Sequence, residues 1–190
     1  MDAGKLIILT APSGSGKSTL AARLLSDFPR IKFSVSATTR KPRAGEIHGV
    51  HYFFMSDEEF RQQIERGNFL EYEEFYGGKL YGTLKSHVEQ ELNSGYFVLL
   101  DIEVKGASNV KSRFGPDCLS IFVRPPSLQE LEKRLRERGT ETEETLTLRL
   151  ERAQMELHHE NQFDAVVIND NLEQAYLDLK SIVEPYLITS

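Results

Sequence analysis

Short apolar runs alternate with amphipathic ones along most of this 190-residue chain. "KLIILT" (5–10) is apolar, brief and closed by Pro12 and Gly14, which predicts a buried strand. "KSTLAARLLSDF" (17–28) follows with Leu20, Leu24 and Phe28 on one side of a helix. Strand-like runs recur as "KFSVS" (32–36), "YFVLLDI" (96–102), "CLSIFV" (118–123) and "AVVIND" (165–170). Helical patterns at 85–93, 104–113, 127–138, 143–161 and 171–184 separate most of them. That alternation predicts a parallel sheet covered by helices on both faces. Residues 37–83 break the rhythm. "HYFF", "FLEYEEF" and "KLYGT" are short, aromatic and divided by glycines, so a small β-rich insertion is expected around the helix "DEEFRQQIER". There is no internal repeat and no linker long enough to divide the chain.

The first strand-to-helix junction carries chemistry. "APSGSGKS" matches G-x-x-x-x-G-K-[ST] except that Ala11 stands at the first position. Gly14 and Gly16 let the backbone turn so that several N–H groups point at one phosphate. The helix beginning near Lys17 adds its positive end. Residues Ala11, Pro12, Ser13, Gly14, Ser15, Gly16, Lys17, Ser18 and Thr19 are therefore the expected ATP cradle. Lys17 would reach the β- and γ-phosphates, and Ser18 would ligate Mg²⁺. Ala11 adds only a methyl, and only a required positive φ would exclude it. The apolar strand ending in Asp101 is expected to place a second oxygen ligand beside the metal.

Composition narrows the class. Hydrophobic residues make up 39%, charged residues 27% and the net charge is −6, a globular balance that argues against broad nucleic-acid binding. The longest apolar runs, "LIIL" and "FVLL", are far short of a membrane span, and the N-terminal stretch lacks the length of a secretory signal. A cytoplasmic location without membrane association is expected. The single cysteine, Cys118, falls in an apolar run and is expected to be a core residue. The five histidines lack metal-ligand spacing, so Mg²⁺ is expected to arrive with the nucleotide.

"SVSATTRKPRAGEIHGVHY" (34–52) suggests the second substrate. Arg40 and Arg43 flank the rigid turn at Pro42, a spacing suited to clamping a phosphate. Tyr52 and Tyr81 offer hydroxyl donors. A solvated basic turn is the alternative. Four segments, "SVSATTRKPRAGE", "FLEYEEFYGGKLYGT", "LLDIEVKGA" and "RLRERGTETEETLTLRL", resemble the signatures of guanylate kinases, in family order. With the phosphate loop and "VVINDNLEQAY", the resemblance spans roughly residues 5 to 186.

That resemblance implies ATP + GMP ⇌ ADP + GDP, with dGMP as a further acceptor. It implies one domain over 1–190 on a P-loop NTPase-type core (about 1–36, 84–125 and 160–190). A GMP-binding insertion (about 37–83) and a helical lid (about 126–159) complete it. Arg40, Arg43, Tyr52 and Tyr81 would hold the GMP phosphate, and Ser36, Glu71, Thr83 and Glu103 would read guanine. The chemistry agrees, because guanine presents N1–H and N2–H donors that suit a carboxylate and an O6 acceptor that suits a hydroxyl. Two departures stand out: Glu103 where the family commonly has Asp, and Lys105 where Gln is frequent.

In the lid, the resemblance brings Arg138 and Arg149 to the transferring phosphoryl group, and Arg134 with Asn169 to the ATP base. Composition alone would give only a charged surface helix pair. Gly139 is expected to end one helix, and Thr140 with Glu143 to form a capping box for the next. Two other readings remain: a guanylate-kinase-like module that binds proteins without catalysis, and a P-loop kinase for another phosphate acceptor. Intact Gly16, Lys17 and Ser18 speak against the first, and Ser36, Glu71 and Thr83 against the second.

Overall fold

The computed structural model describes residues 4–75, 77–137, 139 and 142–188. Its centre is a parallel five-stranded sheet in the order β2-β7-β1-β8-β9, made of Ile31–Phe33 (β2), Phe97–Asp101 (β7), Leu6–Thr10 (β1), Cys118–Arg124 (β8) and Ala165–Ile168 (β9). Every residue of β1 is buried. Its side chains alternate between two cores, as the pleat requires. Ile7 and Leu9 meet Leu20 and Leu24 of α1 (Lys17–Asp27) and Leu179 and Val183 of α7 (Leu172–Ile188). Leu6 and Ile8 meet Val88 of α3 (Lys85–Asn93) and Val104, Ala107 and Val110 of α4 (Val104–Phe114). Helices thus cover both faces of a P-loop NTPase-type sheet. Cys118 is buried in this core.

A second sheet follows β2. It runs β4-β3-β6-β5, from Ala37–Thr38 (β3), Phe53–Phe54 (β4), Phe69–Phe75 (β5) and Lys79–Leu84 (β6). Its own core joins Phe60 of α2 (Asp57–Glu65) to Phe69, with ring centroids 4.3 Å apart, and to Leu80 and Leu84. A fourth cluster, Leu131, Leu135, Leu146 and Ala153, holds α5 (Leu128–Glu137) against α6 (Glu143–Leu157). Among the described residues, no helix is long and apolar enough to cross a membrane.

Several boundaries differ from the sequence pattern. β2 stops at Phe33: the Ser34 N–H still bonds Leu99 O, and the chain then crosses to the second sheet at Ala37. The cap of α6 is Thr142, paired with Thr145, instead of Thr140 with Glu143. Helical geometry starts at Glu143, so the residue before it is the one whose hydroxyl reaches the free N–H of the first turn. Thr140 lies outside the described residues, whereas Gly139 has the positive φ of 65° suited to a helix end. α6 gives way to a 3₁₀ turn at Glu160–Gln162, short of the expected helix through 161. α7 continues past Pro185 to Ile188, held by the packing of Ile182, Val183, Tyr186 and Leu187 on the main core.

Candidate active site

The phosphate loop is set by its glycines. Gly14 has φ 95°, and Gly16, the residue preceding α1, has φ 86°. No described non-glycine residue has positive φ, so Ala11 fits its place without strain, and it is buried. A side chain at Gly14 would run into Leu131 and Leu135 of α5, and one at Gly16 would strike the Asn169 amide. That amide donates to Ser15 O at 2.8 Å, while Arg134 Nη1 donates to Asn169 O at 2.9 Å. Asn169 and Arg134 thus brace the loop from behind. Residues 11–19 line a cavity of about 220 Å³ together with Asp101 and Glu103. Lys17 forms an ion pair with Asp101 at this wall. From α6, Arg149 Nη1 reaches Ser13 Oγ at 2.7 Å.

Asp101 and Glu103 also line the neighbouring cavity, of about 460 Å³. Ser36, Arg40, Tyr52, Glu71 and Tyr81 converge there from the second sheet and the segment leading into it. On β5, Glu71 and Glu73 are two residues apart and share a face. Glu71 pairs across the strands with Thr83 and Glu73 with Tyr81. Thr83 is buried and donates its hydroxyl hydrogen to Glu71 Oε1 at 2.6 Å. Burial pushes the Glu71 carboxyl above its usual range, and the Thr83 bond pulls against that. Burial likewise raises Glu103, opposed by the charges of Lys17 and Arg152.

Tyr52 and Tyr81 meet edge to face, 6.1 Å between ring centroids. The Arg40 guanidinium lies 5.2 Å from the Tyr52 ring and is held by both oxygens of Glu46, at 2.8 and 2.9 Å. Arg40 and the backbone N–H of Arg43 hold the Glu46 carboxyl down at about 2. The Arg43 side chain is exposed and does not line the cavity. Arg138 lies outside the described residues.

Four contributors escaped the sequence reading: Glu46, Glu73, Arg152 and Glu156. Glu46 closes the very motif that supplied Arg40 and Arg43, and its position three residues after Arg43 was the signal available. The other three come together only through the fold. Arg152 of α6 sits between Glu73, Glu103 and Glu156.

Known proteins resemble this chain over nearly its whole length. A family model described as Guanylate kinase matches residues 3–186. A guanylate kinase of Bacteroides thetaiotaomicron is 48% identical over 184 residues, 97% of this chain and 90% of that one. One from Salinibacter ruber is 51% identical over 182 residues, 96% of each chain. The crystal structure of guanylate kinase from Anaplasma phagocytophilum superposes with a TM-score of 0.77 at 30% identity, covering 98% of this chain and 88% of that one. A thymidylate kinase from Candida albicans, with a TM-score of 0.52 and 16% identity over 97% of this chain and 92% of its own, shares the fold alone.

Proposed function

The chain belongs to the guanylate kinase family, and from that premise we propose how its residues carry the reaction, transfer of the γ-phosphoryl of ATP to GMP. The carrying observation is that two cavities meet at one wall, Asp101 and Glu103. ATP lies along the phosphate loop in the smaller cavity, and GMP fills the larger. The two phosphates then face each other where the walls join. In this reading residues 37–83 are the GMP-binding insertion, 126–159 the lid, and the remainder the core.

An oxygen of the GMP phosphate attacks the γ-phosphorus, and the bond to the β–γ bridging oxygen breaks, leaving ADP. The attacking phosphate is already ionised, so the work is positioning and charge stabilisation. Backbone N–H groups of residues 13–18 hold the β-phosphate, and Lys17 exchanges part of its contact with Asp101 for phosphate oxygens. Arg149 and Arg138 approach the transferring group from the lid, where Arg149 already touches the loop at Ser13. Arg134 and Asn169 carry the adenine side while bracing the loop. Lid closure keeps water from accepting the phosphoryl group. The Ser18 hydroxyl and the Asp101 carboxylate share the phosphate cavity and are hard oxygen donors, a set that fits Mg²⁺. Held there by Ser18 and Asp101 with ATP, such an ion would supply positive charge against the phosphate oxygens.

Arg40, fixed by Glu46 over Tyr52, receives the GMP phosphate with Tyr52 and Tyr81. Arg43 joins by swinging in from the surface. Glu71, oriented by Thr83, takes guanine N–H donors together with Glu103, and Ser36 addresses O6. Adenine lacks those ring-edge donors and would leave buried carboxylate oxygens unpaired. The reaction belongs where ATP and GMP coexist, the cytoplasm.

A coupled assay with GMP, dGMP and AMP as acceptors tests this. GMP should exceed AMP by up to about 10⁴ in kcat/KM, as in sites built to hydrogen-bond a substrate edge. dGMP, which keeps the guanine edge, should be phosphorylated. Equal use of AMP would overturn the base assignment.

A further inference from the structure

Helix α6 touches residues of both cavity walls with two arginines three residues apart, a spacing that puts them on one face. Arg149 touches the phosphate loop at Ser13. Arg152 touches the acidic wall of the base cavity. Its Nη2 lies 3.2 Å from Glu73 Oε1 and 3.3 Å from Glu103 Oε2, while its Nε donates to Glu156 Oε1 at 2.8 Å. Glu73 comes from β5 and Glu103 precedes α4, so one guanidinium joins three parts of the fold.

We propose that Arg152 positions the carboxylates of the base cavity and thereby makes guanine binding depend on α6. The proposal rests on the assignment of guanine to the larger cavity.

Glu71, Glu73 and Glu103 all line that cavity, and like charges so placed repel one another. Across the way, Lys17 is paired with Asp101. Arg152 supplies the countercharge to Glu73 and Glu103 from behind, and its planar fork fixes both at once. Glu156, buried one helical turn further along α6, sets the plane of that fork. Arg152 does not line the base cavity itself. It lines a groove between α4 and α6 on the other side of the carboxylates. It therefore acts on the base through Glu73 and Glu103. Glu103 reaches the cavity on a two-methylene arm from the residue before α4, and the contact with Arg152 holds that arm in one direction.

The test is Arg152→Met and Arg152→Lys, by steady-state kinetics and calorimetric GMP binding. Arg152→Met should raise both KM and Kd for GMP by about tenfold or more, the scale of a lost charge-assisted contact. kcat at saturating GMP should fall less than about threefold, and KM for ATP should stay within about twofold. Arg152→Lys, which keeps the charge without the fork, should recover part of the loss. In a Glu73→Gln background, where the wall is less charged, Arg152→Met should cost less than it does alone. GMP binding within about twofold of wild type in Arg152→Met would overturn the proposal. So would a parallel loss in kcat and in ATP affinity, the mark of a loosened α6, or full additivity with Glu73→Gln. The acceptor comparison on the wild type stands apart: equal use of AMP there defeats the base assignment whatever Arg152 does.

Discussion

The phosphate loop and the base cavity share a wall yet are built by opposite means. The loop is one continuous segment whose shape comes from backbone: two glycines with positive φ and a helix start. The cavity is collected from Ser36, Arg40, Tyr52, β5, β6 and Glu103, and its order comes from side-chain pairs such as Arg40–Glu46 and Thr83–Glu71. A backbone site presents donors that need no ion pair to aim them. A side-chain site can hold several like charges only by spreading counter-contacts through the fold. In the proposed reading the loop serves phosphate, common to every nucleotide, whereas the cavity serves one base.

The sharpest way to break this contrast is to remove charge at the phosphates. Arg149→Met should cut kcat by about 10³, as for other arginines that stabilise phosphoryl transfer, with little change in Kd for GMP. Lys17→Ala should cost about 10²–10³ in kcat while folding normally. Near-normal turnover in both would mean that the backbone alone suffices. On the other side, Glu71→Gln should raise KM for GMP by about ten- to a hundredfold, the value of a hydrogen bond to a charged group, and leave KM for ATP unchanged. Equal shifts for both nucleotides would show that the two sites are not separately built.

The smallest effect concerns Glu156, which burial pushes up to about 7 from a usual 4.5. Between those values the folded chain holds a proton that the unfolded chain releases. Stability from this group is therefore greatest below about pH 4.5 and declines as pH rises through 7. Thermal unfolding at pH 5 and pH 8 should show wild type losing a Tm increment on the order of a few degrees, and Glu156→Gln losing less of it. An unchanged pH dependence in the variant would remove Glu156 from the acidic cluster's energetics.

The sequence pattern located the inner strands β7, β1 and β8 most closely because a strand covered on both faces must be almost continuously apolar. Its failures share a cause. Neither the exit of the chain after Phe33 nor the passage of α7 through Pro185 is a local preference. The first follows from where the second sheet pairs, the second from packing on the core. The cap of α6 lies two residues beyond Thr140 because Thr140 and Thr142 offer the same chemistry, and only the helix start selects between them.

The order and spacing of residues in the chain determined the turn of the phosphate loop, since a strand, two glycines, Lys17, Ser18 and a helix start are local features. Through the family resemblance they also named the residues that the proposed reading sets against GMP. Tertiary structure alone decided that Asp101 and Glu103 form the wall between two cavities, that Asn169 locks the loop from 154 residues away, and that Arg152 gathers Glu73, Glu103 and Glu156. Local signals arise from the backbone's own periodicity and turns. A cluster of charges from distant segments leaves no periodic trace, because the energy that brings them together comes from the packing of the cores beneath them.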